Sequence, residues 1–263
     1  MKQRVVTALI GLIIFLVPLY MGGPLFVTLV TVMAIVAFIE LLRMKRLATS
    51  PLLGFVGLGM SLLLLYAGPR MDIVSNEATL LAVTVGVWLL LLVTVLSNNR
   101  YHFDTVAFIL FSGAYVGLGL HFFLAARLDS GFAFVLFVLI AIWATDTGAY
   151  LFGRKFGKRP LWPKISPKKT VEGAAGGFLL ALVAGLIFAW FWPPFDQLWL
   201  TTIALIIISV AGQCGDLVES ALKRYYNVKD SGRMLPGHGG VLDRFDSVIF
   251  VFPIIYVVMA LLT

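Results

Sequence analysis

The chain has 263 residues, 60% of them hydrophobic, and a formal net charge of +7. A mean hydropathy of +1.00 excludes a soluble globular domain of this size. One cysteine, Cys214, excludes an internal disulfide and a multi-cysteine metal site.

The apolar residues fall into long runs of the length a helix needs to cross a bilayer. Nine spans are expected, at about 5–20, 24–42, 52–67, 78–96, 105–124, 132–151, 171–192, 198–216 and 245–262. Strands spanning a bilayer would need strict alternation over ~10 residues, which is absent. The predicted fold class is therefore all-α, a polytopic integral membrane protein of about nine transmembrane helices. Met1-Lys-Gln-Arg4 before an apolar run resembles a signal peptide, but no small-x-small cleavage site follows, so a retained first helix is expected. Gly22-Gly23-Pro24, Ser50-Pro51, Gly68-Pro69, Asp129-Ser130-Gly131 and Pro193-Pro194 punctuate the spans. Residues 1–130 carry little polar chemistry and read as scaffold helices. Residues 131–263 read as the catalytic helices, the whole forming one integrated membrane domain.

With nine spans, every Lys and Arg except Arg70 and Arg127 falls on one side. By the positive-inside rule that side is cytoplasmic, with the N-terminus inside and the C-terminus outside. The pI near 9.6 thus reports topology, and nucleic acid is not an expected partner. The two long polar connections, 152–170 and 217–244, both face the cytoplasm. Long loops in a compact chain usually carry function.

The first connection contains Lys164-Ile-Ser-Pro-Lys-Lys-Thr-Val-Glu-Gly173. Ser166 before Pro167 predicts a helix start, and Lys168 and Lys169 at that terminus predict an anion site, joined by Lys164. The same basic patch suits anionic lipid at a membrane surface. Glu172 is expected to pair with these lysines. Asp146 lies inside an apolar span, where an acid is costly, and is expected to support a metal or a lysine. Gly153-Arg-Lys-Phe-Gly-Lys-Arg159 lacks P-loop spacing, and neither His-Glu-x-x-His nor Gly-x-Ser-x-Gly occurs, so no covalent nucleophile is indicated.

The second connection is the most polar stretch. It runs from Ser220 to Asp246 and holds Lys223, Arg224, Lys229, Arg233 and Arg244, with Asp230, Asp243 and Asp246. Helical spacing puts Asp216, Glu219, Ser220 and Lys223 on one face. Asp243 and Asp246 stand three apart at the entrance to the last span, where capping is the competing reading. Asp216 and Asp243 flank the same loop and are expected to close on one cation. Mg²⁺ suits them, since it takes one or two carboxylates and fills its shell with phosphate oxygens and water. Within Pro236-Gly-His-Gly-Gly240, Gly239 and Gly240 let backbone amides reach a ligand. His238 is expected to contact phosphate or handle a proton.

On these residues the chain resembles the bacterial-type phosphatidate cytidylyltransferases, the CDP-diacylglycerol synthases. Their signature is met at Ser220, Leu222, Lys223, Arg224, Lys229, Asp230, Gly232, Leu235, Pro236, His238, Gly239, Gly240, Val241, Asp243, Arg244, Phe245 and Asp246. The Ser-Pro-Lys-Lys-Thr-x-Glu-Gly run and the span layout add to the likeness, which covers most of the chain. The resemblance implies transfer of CMP from CTP to phosphatidate, giving CDP-diacylglycerol and pyrophosphate, in a bacterial inner membrane. It implies Mg²⁺ on Asp216 and Asp243, with Asp246 toward a second cation such as K⁺. Lys164, Lys168, Lys169, Lys223, Arg224 and Arg244 would share the phosphates. Partners would be CTP, phosphatidate and the bilayer, and a homodimer is left open. A CTP-dependent lipid kinase, a CDP-alcohol phosphatidyltransferase, and a transporter are the alternatives. The phosphatidyltransferase pattern Asp-Gly-x2-Ala-Arg is missing, and a transporter would carry polar groups deep in several spans.

Overall fold

The computed structural model describes residues 2–47, 51–67, 76–232, 234 and 239–262. Among these residues the chain forms nine helices and one two-stranded hairpin. The helices are α1 (Lys2–Met21), α2 (Gly23–Met44), α3 (Pro51–Leu65), α4 (Asn76–Leu96), α5 (Phe103–Asp129), α6 (Gly131–Phe156), α7 (Val171–Phe191), α8 (Leu198–Tyr225) and α9 (Leu242–Leu262). Strands β1 (Pro160–Trp162) and β2 (Ser166–Thr170) lie between α6 and α7. Six helices are long and apolar enough to cross a membrane: α2, α5, α6, α7, α8 and the Thr79–Leu96 stretch of α4. Exposed large side chains on these helices are the surface a bilayer covers, not a misplaced core. The chain is an all-α membrane protein.

Two compact units are formed, one of Met1–Ala125 with Asp230–Arg244, the other of Ala126–Lys229 with Phe245–Thr263. In the first, Phe38 and Leu42 of α2 pack with Leu53 and Met60 of α3, Leu90 and Val93 of α4, and Val106 and Ile109 of α5. Water supplies no force between helices in lipid, so close backbone approach must substitute. Gly113 and Gly117 of α5 provide it. A Cβ on Gly117 would stand 2.5 Å from the Ser61 carbonyl oxygen. Just beyond α2, Lys45 Nζ donates to the Asp104 carbonyl at 2.8 Å. Burial pushes the Lys45 ammonium below its usual pKa, and the Asp104 charge opposes that shift.

In the second unit α6 and α7 pack through small residues. A Cβ on Gly177 would lie 2.5 Å from the Thr145 carbonyl oxygen. The turn from α7 to α8 exposes Trp190, Phe191, Trp192 and Trp199, the aromatic girdle expected at a headgroup layer.

Three local expectations are corrected. Residues 152–156 continue α6, and 217–225 continue α8, so both polar connections are shorter than their composition suggests. The segment beginning at Ser166 is a strand, not the first turn of a helix. It pairs antiparallel with β1, Trp162 opposite Ser166 and Pro160 opposite Thr170. The cap of α7 is Thr170, whose Oγ1 accepts the Gly173 N–H at 3.1 Å. Pro167 restricts Ser166 to extended backbone, which suits a strand as well as an N-cap, so the Ser-Pro pair alone does not mark a helix start. The physical rule for capping holds, but one more hydroxyl along the chain satisfies it.

Candidate active site

The polar residues of the two connections and the helix ends beside them form two clusters, one in each unit. The second unit holds the larger. Helix α8 ends in Lys223, Arg224 and Tyr225, and Asn227 takes a left-handed turn with φ 54°. Asn227 N–H returns to the Arg224 carbonyl and Val228 N–H to Lys223, which closes the helix terminus. The extended α8 therefore carries Asp216, Glu219, Ser220 and Lys223 on consecutive turns of one face, as their spacing predicts.

These side chains are paired. Asp216 Oδ2 lies 2.5 Å from Lys169 Nζ. Asp216 Oδ1 accepts from Ser220 Oγ at 3.4 Å. Glu219 is 1% exposed, and its Oε2 accepts from Lys223 Nζ at 2.6 Å. Asp246 lies near Glu219 and within electrostatic reach of Asp216 and Lys223. Asp246 is buried on α9, and its Oδ1 accepts the Ser247 N–H at 2.7 Å. Gly215 lets α8 approach α9 here, because a Cβ would stand 2.8 Å from Phe250 and 3.1 Å from the Asp246 carbonyl. Ser247 Oγ donates to the Gly212 carbonyl at 3.1 Å and fixes the same crossing.

The hairpin brings the first polar connection to this cluster. Lys169 is on β2, and Arg224 Nε donates to the Ile165 carbonyl at 3.2 Å. Lys164, Lys168, Arg224 and Lys229 are exposed, and Ser166 is half-buried. Glu172 pairs differently from the expectation. Its Oε2 accepts the backbone N–H groups of Lys158 and Arg159 at 3.0 and 3.2 Å, so it ties down the turn before β1. Asp146 is exposed on α6.

The first unit holds Asp243, Gly239 and Gly240. Asp243 Oδ2 accepts Ser231 N–H at 2.8 Å, Gly240 N–H at 2.8 Å and Ser231 Oγ at 3.0 Å. Gly239 has φ 84°, and a Cβ there would stand 2.5 Å from Asp243 Oδ2. Glycine at 239 is thus required twice, by the left-handed backbone and by the carboxylate. Arg244 is exposed. His238 and Arg233 lie outside the described residues.

One acid in this cluster was not singled out from the sequence. Glu40 of α2 is 1% exposed, and accepts Val241 N–H, Leu242 N–H and Ser231 Oγ at 3.0, 2.9 and 2.9 Å. The signal was present. A lone acid among apolar residues near the end of a span is costly unless paired, the reasoning applied to Asp146. Among the described residues, no three His, Cys, Asp or Glu side chains converge as ligands of one metal ion.

Helices fit for a bilayer carry paired acids and cations at the end of α8 in one unit and a carboxylate-held Gly239–Gly240 segment in the other, which defines a helical membrane protein with polar, charge-bearing clusters. The match to known proteins narrows this class. The chain belongs to the cytidylyltransferase family, whose family model matches residues 2–262, and it is a nucleotidyltransferase. It is 46% identical to a phosphatidate cytidylyltransferase of Bacillus subtilis, over 99% of this chain and 98% of that protein. It is 43% identical to proteins of the same name from Staphylococcus haemolyticus and Staphylococcus aureus, each over 98% of this chain and 99% of the relative.

Proposed function

We propose that this chain transfers CMP from CTP to phosphatidate at the cytoplasmic face of a bacterial inner membrane. A phosphate oxygen of phosphatidate forms the new bond to the α-phosphorus of CTP. The bond from that phosphorus to the β-phosphate oxygen breaks, and pyrophosphate leaves. CDP-diacylglycerol stays in the membrane. The supporting observation is the near-full-length likeness to relatives of that name, 46% identical over 99% of this chain.

The chemistry asks for little covalent help. Phosphatidate is already an anionic nucleophile, so no strong base is needed. The barrier is repulsion between two polyanions, which positioning and charge neutralisation lower. Lys169, Lys223, Arg224 and Arg244 are the cations we assign to the phosphates, with Lys164, Lys168, Lys229 and Arg233 around them. Ser166 and the amides of Gly239 and Gly240 would supply hydrogen bonds, and His238 would contact phosphate or carry a proton. Glu219 fixes Lys223, and Glu172 fixes the hairpin turn, so both support the cations indirectly. Asp146 remains a candidate for support.

The acids suit a hard divalent ion, because Asp216, Asp243 and Asp246 offer oxygen donors only. Mg²⁺ needs only one or two carboxylates, because it keeps waters and takes phosphate oxygens. We propose that Asp216 and Asp243 hold Mg²⁺, with Asp246 a ligand toward a second cation such as K⁺. When bound, Mg²⁺ would neutralise the phosphates and stabilise departing pyrophosphate.

Nine spans with the N-terminus inside complete the proposal, supported by the one-sided distribution of Lys and Arg. In a Cys214→Ser background, Lys164→Cys should react with an impermeant maleimide only from the cytoplasmic side. A homodimer is proposed as the working assembly, to be checked by mass measurement in detergent. The decisive assay uses purified protein with phosphatidate, CTP and Mg²⁺. Pyrophosphate should appear, and Asp243→Ala should abolish it. Release without phosphatidate, or full activity in that variant, would refute the proposal.

A further inference from the structure

We infer that Glu40 is a positioning residue for the glycine turn and for Asp243. The inference rests on the reading of Asp243 given above, and the experiment below separates the two.

Glu40 sits near the end of α2, about 200 residues from the groups it binds, with separations of 191, 201 and 202 positions. Its two oxygens take the N–H groups of Val241 and Leu242, the first donors at the start of α9. A helix start normally meets this need with a local Ser, Thr, Asp or Asn. A local cap would satisfy the amides but would leave the turn free to move as a body. A cap from α2 fixes Val241 and Leu242, and Gly240 before them, against a helix.

The contact also continues to Asp243. Ser231 Oγ lies 2.9 Å from Glu40 Oε2 and 3.0 Å from Asp243 Oδ2 and accepts the Asp243 N–H at 3.3 Å, so its single proton is poised between the two carboxylates. Two backbone amides, of Ser231 and Gly240, then hold the same Asp243 oxygen. The glycines are cut to fit. A Cβ on Gly240 would collide with Ser231 Oγ and with both Glu40 oxygens, and one on Gly232 would collide with Glu40 Oε1. Glu40 is buried, so it does not reach substrate from solvent. Its action runs through Ser231 and the backbone to the orientation of Asp243, as outer groups orient inner ligands at metal sites.

The test uses the full-length protein in detergent. Glu40→Gln keeps the size but turns an amide NH₂ toward a backbone N–H. Hydrogen exchange at Val241 and Leu242 should accelerate, while helix content and melting temperature stay near the parent. kcat should fall about 10- to 100-fold, the usual cost of losing such a partner, with the KM for CTP changed much less. Ser231→Ala should give a similar kcat loss, and the double variant should lose little more than the worse single one. Unchanged exchange in Glu40→Gln overturns the inference. So does faster exchange with unchanged kcat, which would make Glu40 a structural cap only. If Glu40→Gln fails to fold, Ser231→Ala decides: full kcat overturns the bridge, a loss supports it. Exchange is read without turnover, so an inactive parent would remove the proposed reaction and leave the positioning test standing.

Discussion

Lys169 Nζ stands 2.5 Å from Asp216 Oδ2, so a lysine of the hairpin sits on the acid proposed for Mg²⁺. Both side chains are partly exposed, at 27% and 37%, and such pairs add little to stability. The pair is better understood as a resting contact. On the proposed Mg²⁺ site, Lys169 would neutralise Asp216 until the divalent ion takes its place, and would then be available to a phosphate.

This has consequences of opposite sign. Lys169→Ala removes a competitor for Asp216, so half-saturation by Mg²⁺ should occur at lower concentration. It also removes a phosphate cation, so kcat should fall about 10²- to 10³-fold, as when an oxyanion donor is lost. A Mg²⁺ titration of pyrophosphate release at saturating CTP checks both. A raised Mg²⁺ requirement would mean that Lys169 does not compete for Asp216.

Lys223 and Glu219 form the buried counterpart, 2.6 Å apart with side chains 15% and 1% exposed. Breaking such a pair leaves a charge in a poor solvent, at a cost of about 3 kcal/mol, whereas replacing both partners with apolar groups is often neutral. Lys223→Met should therefore lower the melting temperature and abolish turnover. Adding Glu219→Leu should restore the melting temperature but not the turnover, because the phosphate still lacks its cation. Recovery of activity in the double variant would show that Lys223 serves folding alone.

The helices were legible because apolar runs bounded by Gly, Pro and charge leave few other readings. Their polar ends were not. Residues 217–225 read as polar connection by hydropathy, yet they favour helix, and hydropathy cannot distinguish a helix that has left the membrane from a loop. The hairpin was missed because three and five residues give too little alternation to register. The acids and cations of the site were named from composition and resemblance. Glu40 carried the signal of a lone acid in an apolar run, but its partners, the Val241 and Leu242 amides and the Ser231 hydroxyl, lie about 200 residues away and no local pattern pointed to them.

The capping correction can be measured. Thr170 Oγ1 accepts from Gly173 N, whereas Ser166 lies in β2. Thr170→Ala should cost about 1 kcal/mol, the usual value of an N-cap, seen as earlier thermal unfolding. Ser166→Ala should leave the melting temperature unchanged, whatever it does to turnover. Equal thermal losses would restore Ser166 as a helix start.

Packing of α6 on α7 gives the last prediction. A methyl at position 177 would lie 2.5 Å from the Thr145 carbonyl and 3.2 Å from Ala149 Cβ. Neither can yield, since one is backbone and the other is fixed to it. Gly177→Ala must move the helices apart, at about 1–3 kcal/mol for such overpacking. Lys169, borne by the strand that leads into α7, would shift with them, so turnover should fall along with the melting temperature. Gly11→Ala on α1 is the control, because nothing lies within 4 Å of its added carbon. That variant should melt no earlier than the parent, since alanine favours helix over glycine. A Gly177→Ala protein with parental melting and turnover would show that α6 and α7 do not need this contact.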